Sequence, residues 1–389
     1  MKIHMLDSNE KYRAAKISIT AFHVRSDEPE KQLRRWMCGD TEDWGAFTDD
    51  DVLMARAVNN SLSMKLYGSC VKCGGVGAVS TLPEYRGNGA VRAIFDKLLP
   101  HSYENGEVIS ALYPFSHSFY RRFGYETVCF ANEYSFPPDV LSSYRFEGEA
   151  HQYSEEEPAD VYSGLYESFT NGFNLALSRT EEMQKDHIGG NDIRDGKFTY
   201  LLSYGKRPAA YITFEDRQDS GKAVIRVRDY AWDGRDGFLA ILGFLPRFSS
   251  DYGEIRIMLP RGIELHSLLQ SPRAYDVVCR PRSGFMVRAV NVEKLLGLLP
   301  DRNGIDIAIA VSDDLIPQNN ATWHITENNV TRTDKTPDVK MSIQSLSQIA
   351  VGAVSPEESM LRRDTEIISA KDMFCRLFSH RKLYISEDF

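Results

Sequence analysis

The chain has 389 residues, 42% of them hydrophobic, and a net charge of −9, enough for two or three domains with cores of their own. Lys and Arg number 46 against 55 Asp and Glu, with no basic run, so the sequence argues against nucleic acid and favours cationic ligands. No apolar run approaches the roughly 20 residues of a membrane span. The start, Met1-Lys2-Ile3-His4-Met5-Leu6-Asp7, has no apolar signal core, so a cytoplasmic protein without membrane contact is expected.

In chain order, residues 11–36 read as two helices broken at Asp27-Glu28-Pro29-Glu30. Trp44-Gly45-Ala46-Phe47-Thr48-Asp49-Asp50-Asp51 reads as a turn, followed by strands at 52–58 and 63–67. Cys70-Val71-Lys72-Cys73 has zinc-like spacing, but no second pair completes four ligands, so the pair reads as structural and no metal is expected. Residues 76–81 form a β-branched and small-residue strand stopped by Leu82-Pro83.

The stretch that follows carries the chemistry. Glu84-Tyr85-Arg86-Gly87-Asn88-Gly89 leads into 90–99, which are apolar at helical spacing. Glycines let backbone N–H groups approach a phosphate closely, and the helix N-terminus adds partial positive charge. Arg86 can add a charge-assisted bond to the same phosphate. The competing reading of this turn is an ordinary helix start with an exposed Arg. Next come a short buried-type strand at 108–113, stopped by Pro114, and a helix through Ser116-His117-Ser118-Phe119-Tyr120-Arg121-Arg122, with Gly124 beyond its end.

This stretch resembles the GNAT acetyltransferase superfamily. Its pyrophosphate turn, Arg/Gln-x-x-Gly-x-Gly/Ala, corresponds to Arg86-Gly87-Asn88-Gly89-Ala90-Val91, where Val91 departs from the usual small residue. Its Tyr-x-x-x-Gly-Phe/Tyr segment corresponds to Tyr120-Arg121-Arg122-Phe123-Gly124-Tyr125. The resemblance implies acetyl-CoA as co-substrate, held by Val79, Ser80 and Thr81 through their backbone, by Arg86, Gly87, Asn88, Gly89, Ala90 and Val91, and by Phe115 and Ser116. It makes Tyr120 the general acid; the alternative is a packing residue among Phe119, Phe123 and Tyr125.

Residues 142–158 form a polar, Glu-rich connection, and a second α+β segment begins near Val161. It has strands at 198–203, 209–214 and 223–231, a helix at 237–248 and a strand at 254–259. The order repeats the first domain, yet Trp232-Asp233-Gly234-Arg235-Asp236 stands where the Gly-rich turn would be, and two acids there would repel a phosphate. After Met286 the pattern changes again: a helix at 292–299, strands at 305–311 and 321–325, then Asp338-Val339-Lys340-Met341-Ser342-Ile343 running into a Leu-x-x-Ile-x-x-Gly helix. A helix at 373–378 and a strand at 382–385 close the chain. That last region is similar to the sterol-carrier-protein fold.

The expected fold class is α+β: two tandem GNAT-like domains, the second degenerate and without a cofactor, followed by a sterol-carrier-protein-like α/β domain. The boundaries expected are 1–145, 146–285 and 286–389. That order resembles the Eis (enhanced intracellular survival) family of N-acetyltransferases, with Trp44-Gly45-Ala46-Phe47 and Pro114-Phe115 similar to its Firmicutes-type members. The resemblance implies a homohexamer and direct acetyl transfer in a ternary complex to a primary amine of an aminoglycoside-like, polyamine or lysine acceptor. It also implies that the carboxylate of Phe389 reaches the active site as a base; the alternative is a frayed tail. Phe22, Asp27, Trp36 and His117 are the candidate acceptor-binding residues, an aromatic and acidic set suited to a polycation. Two rival readings stand: a non-catalytic acetyl-CoA sensor and an apolar-ligand-binding module.

Overall fold

In the computed structural model, which describes residues 1–24, 41–128, 131–190, 196–270, 276–282 and 284–387, the chain lays its strands into three sheets. The first 128 residues supply β1 (Lys2–Met5), β2 (Thr41–Phe47), β3 (Leu53–Leu66), β4 (Ser69–Thr81), β5 (Ile109–Leu112) and β6 (Glu126–Val128). The middle supplies β7 (Ala131–Phe136), β8 (Glu149–Gln152), β9 (Lys197–Tyr204), β10 (Arg207–Asp219), β11 (Lys222–Trp232), β12 (Glu254–Pro260) and β13 (Val278–Arg282). The last part supplies β14 (Phe285–Ala289), β15 (Asp306–Ser312), β16 (Ala321–Thr326), β17 (Val330–Thr333), β18 (Val339–Ser342) and β19 (Thr365–Ile367). Two units result. The first gathers Met1–Val128, Gly284–Arg381 and the chain from Glu387 on, the second Cys129–Ser283 and Lys382–Ser386.

In the first unit the strands run β1-β2-β3-β4-β5-β14-β6. The helix Ala90–Glu104 joins β4 to β5, which are parallel. It buries Ile94, Phe95, Leu98 and Leu99 completely, each contributing about 1.5–3 kcal/mol. The helix Ser8–Ala21 starts at a capping box of Asp7 and Glu10, which satisfies two otherwise orphaned N–H groups.

The second unit runs β8-β9-β10-β11-β12-β7-β13, with β11 and β12 parallel and joined through the helix Gly234–Phe244. Position by position this is the first sheet again. The repeat is crossed, however. The sixth place in the first sheet is filled by β14, and the sixth place in the second by β7. Each is antiparallel to both of its neighbours. The sequence assigns residues 131–136 to the first domain by their position; pairing with β12 carries them into the second sheet instead. A third sheet, β17-β16-β15-β18-β19, lies within the first unit, and the helix Ile343–Ala350 that follows β18 packs on β14 and β6.

Some local expectations change. Residues 44–47 are strand β2, not a turn. Gly45 is there because a Cβ would meet Leu6, Leu53 and Phe47 at 2.4–2.9 Å, a close approach rather than a bend. The two strands at 52–58 and 63–67 are one, β3, and the Cys70–Cys73 run lies in one continuous β4. The polar connection at 142–158 contains the exposed edge strand β8. Residues 382–385 form no strand beyond a single bridge of Leu383 to Asn174. The second helix expected before Trp36 lies outside the described residues.

Candidate active site

The site begins where β4 and β5 part. They pair only over Cys73–Gly75 and Ile109–Ala111, while β4 continues to Thr81, so residues 76–81 leave their β5-facing edge without a β5 partner. A bulge sharpens the parting. Between the pairs Arg56↔Ser80 and Val58↔Gly77, β4 carries one extra residue, and Ala78 takes φ 51° there. Bulges bend a strand and re-aim its groups. Val79 and Thr81 are half-buried along this segment, and Ser80 is buried.

The Ser80 side chain faces inward. Its Oγ lies 3.0 Å from Ser18 Oγ on the N-terminal helix, and Arg56 Nη1 donates to Ser18 Oγ at 3.3 Å. Arg56 is clamped to Asp43 at 2.6 Å, both side chains at most 2% exposed. Sequence reasoning missed this buried support behind β4, since nothing local marks Asp43 and Arg56 as partners. Only the backbone of Ser80 is left for a ligand along the strand.

The turn expected to hold phosphate follows. Arg86, Gly87, Asn88 and Gly89 are exposed. Gly87 and Gly89 have φ 83° and 78°, and Gly89 is the N-cap of Ala90–Glu104 with no side chain capping the helix. The first N–H groups of that helix, Ala90 and Val91 among them, are thus offered to an anion. Nothing lies within 4 Å of a Cβ built on Gly87 or Gly89, so the approach is open, as a pyrophosphate needs. At the matching place of the second unit Asp233 is the N-cap and Asp236 stands in the first helical turn, a charge that opposes phosphate.

The helix His117–Arg121 brings Tyr120 to the same region. Ser116 caps it, accepting from Phe119 N at 3.4 Å. Tyr120 is 2% exposed, with ring centroids of Phe95, Phe115, Phe119 and Tyr125 all within 6.2 Å. Phe95 stacks on Phe123 at 4.3 Å, packing the turn's helix against the residues just after the tyrosine helix. Phe115, 66% exposed, lies over Tyr120 at 5.2 Å as an apolar lip. No hydrogen bond joins the Tyr120 hydroxyl to another described side chain or backbone group. Burial pushes its phenol well above the usual value, so the proton stays on at pH 7.

His117 is half-buried on the first turn of this helix, and Phe22, 45% exposed, ends the N-terminal helix. Asp27, Trp36 and Phe389 lie outside the described residues. The segment Lys382–Ser386 is anchored within the second unit. Asn174 N donates to Lys382 O at 2.9 Å and Tyr384 N to Asn174 O at 3.1 Å. Tyr384 packs on Tyr166, Phe169, Phe173 and Tyr230, and Arg179, held by Asp229 at 2.8 Å, donates to Ser386 Oγ at 2.9 Å. Among the described residues no group of three or more His, Cys, Asp and Glu is arranged to hold a metal.

Residues 2–128 match the family described as Acetyltransferase (GNAT) domain, and residues 292–386 the Sterol carrier protein domain. No curated protein matches the chain. A probable N-acyltransferase of unknown function from Enterococcus faecalis superposes with TM-score 0.85 at 20% identity, covering 97% of this chain and 95% of that one. A GCN5-related N-acetyltransferase from Anabaena variabilis gives 0.86 at 18%, and Eis1 from Mycobacterium abscessus 0.81 at 19%, each covering 100% of both chains. At such identities these likenesses establish the fold. The GNAT fold implies acetyl-CoA as co-substrate, and the splayed β4 edge and open, uncapped turn fit it. The chain is thus a mixed α/β protein with a GNAT acetyltransferase domain at its N-terminus and a sterol-carrier domain at 292–386, and it is an acyltransferase.

Proposed function

We propose that this protein is an Eis-family N-acetyltransferase that moves the acetyl group of acetyl-CoA to a primary amine of a cationic acceptor, in a ternary complex. The observation that carries the reading is the convergence of the parted β4 edge, the uncapped Arg86–Ala90 turn and the Tyr120 hydroxyl in one domain. In this reading the pyrophosphate sits on Arg86, the N–H groups of Gly87 to Val91 and the helix N-terminus, and the pantetheine arm pairs with the backbone of Val79–Thr81. Phe115 and Ser116 border its thioester end. The domain order is catalytic, cofactor-free and sterol-carrier-like. The homo-oligomer, cytoplasmic setting and Firmicutes-type membership follow from the family reading.

The amine nitrogen attacks the thioester carbonyl carbon, the C–S bond breaks and the thiolate leaves. Tyr120, which keeps its proton at pH 7, gives it to that thiolate. The attacking amine must lose a proton as well; the carboxylate of Phe389 takes it. Phe22, Asp27, Trp36 and His117 border the acceptor. A thiol-release assay with acetyl-CoA against an aminoglycoside, a polyamine and a lysine peptide tests this. Release of CoA with at least one is expected. No release with any would favour an acetyl-CoA sensor.

The cofactor turn is tested separately. Gly89→Val places a β-branched residue at φ 78° and a side chain in the phosphate approach, so acetyl-CoA affinity should fall at least about tenfold while the fold is kept. Calorimetry reads this directly. Unchanged affinity would mean that the phosphates bind elsewhere.

A further inference from the structure

Several side chains beyond residue 284 end on the segment that carries Tyr120. Gln344 Nε2 donates to the Arg121 carbonyl at 2.9 Å, and Gln348 Nε2 to the Thr127 carbonyl at 2.8 Å. Arg288 Nε donates to the Phe123 carbonyl at 2.6 Å, its guanidinium fixed by Asp313 at 2.6 Å. Arg362 pairs with Glu126 at 3.0 Å, and Glu126 is 2% exposed and also held by Arg121 at 2.8 Å. Burial alone would raise the Glu126 carboxyl, but hydrogen bonds from Arg121 and Thr127 and the charge of Arg362 outweigh it and hold it below the usual range.

These contacts answer a local need. The tyrosine helix has five residues, too few for its own hydrogen bonds to fix its position. At Gly124, φ 84°, a Cβ would meet Arg288 Nε at 2.8 Å and Ile343 Cγ2 at 3.0 Å, so the chain passes tight against its supports. Yet the junction is not solid: a cleft of about 500 Å³ lined by Arg121, Gly124, Asp314, Ser342, Gln344 and Arg362, among others, opens beside them. With that space unfilled, polar tethers must supply the alignment that packing would otherwise give.

We propose that the sterol-carrier domain is a positioning element for acyl transfer. Gln344, Gln348 and Arg362, with Arg288 on β14, hold residues 121–127 and through them the Tyr120 hydroxyl. The role rests on the reading of Tyr120 as general acid. It makes the third domain part of the machinery whatever it binds.

The test exchanges Gln344→Met and Gln348→Met together, which keeps side-chain length and removes both donors. Turnover should fall roughly tenfold, because small displacements of a reacting group are costly, with KM for acetyl-CoA and the melting temperature nearly unchanged. In a Tyr120→Phe background the same pair should cost nothing further, since the group it positions has gone. Unchanged turnover of the paired variant, where Tyr120→Phe is impaired, overturns the proposal. So does an equal loss in both backgrounds, which would place the effect elsewhere. Full activity of Tyr120→Phe by itself would remove the general-acid reading and, with it, the target of the tethers.

Discussion

A few residues added after Phe389 should abolish acetyl transfer and leave acetyl-CoA binding intact, whereas the same extension at Met1 should do neither. An amine of pKa near 10 is neutral in only about one molecule in a thousand at pH 7, so the reaction needs a proton acceptor. The tail leading to the chain end is held: Leu383, Tyr384, Ile385 and Glu387 are each at most 4% exposed, which a frayed terminus would not be. An ordinary α-carboxyl has a pKa of about 3.5 and is a weak base, so the proposed role requires either a raised pKa or a water that relays the proton. An extension removes the α-carboxylate from its place without touching the cofactor turn. Acetyl-CoA affinity by calorimetry and the melting temperature separate this from unfolding. Full activity of the extended protein would take the carboxylate out of the mechanism.

Tyr120→Phe should lower turnover roughly 100-fold with acetyl-CoA affinity almost unchanged. The ring keeps its packing against Phe95, Phe115 and Phe119, so the fold has no reason to respond. Only the hydroxyl is lost. Because burial raises its pKa, the proton is present across the physiological range, and in the proposed mechanism the hydroxyl donates it to the departing thiolate. The pH profile sharpens the point: between pH 6 and 9 no limb of the wild-type profile should belong to Tyr120, so a rise of activity with pH reports the base and the amine. Equal turnover in Tyr120→Phe would return the residue to the core.

Local turns and helices were more legible in the sequence than the connections between strands. Arg86, Gly87 and Gly89 were legible as a glycine turn next to a helix start, and both glycines take the positive φ of such a turn. The short helix around Tyr120 was legible, with Gly124 beyond its end. Trp44-Gly45-Ala46-Phe47 was misread, because a glycine chosen for close packing looks the same in sequence as one chosen for a turn. The supports were hidden for a related reason. Gln344 and Gln348, one helical turn apart, look like a solvated stripe, and only tertiary contact shows their amides reaching carbonyls more than 200 residues earlier in the chain. Phe389 and Trp36, proposed as base and acceptor contact, lie outside the described residues.

The crossing of β7 and β14 has a consequence for how the protein is made. On the ribosome, β5 and β6 emerge by residue 128, but the strand that belongs between them ends only at Ala289. Until then the acetyltransferase sheet carries two unpaired edges, and pairing across such separations closes late in folding. A fragment ending at Val128 would retain the cofactor turn and Tyr120, yet leave β6 without the partner that joins it to β5. The nascent catalytic domain must therefore wait for most of the second unit to be synthesised, a window in which exposed strand edges invite chaperones or aggregation.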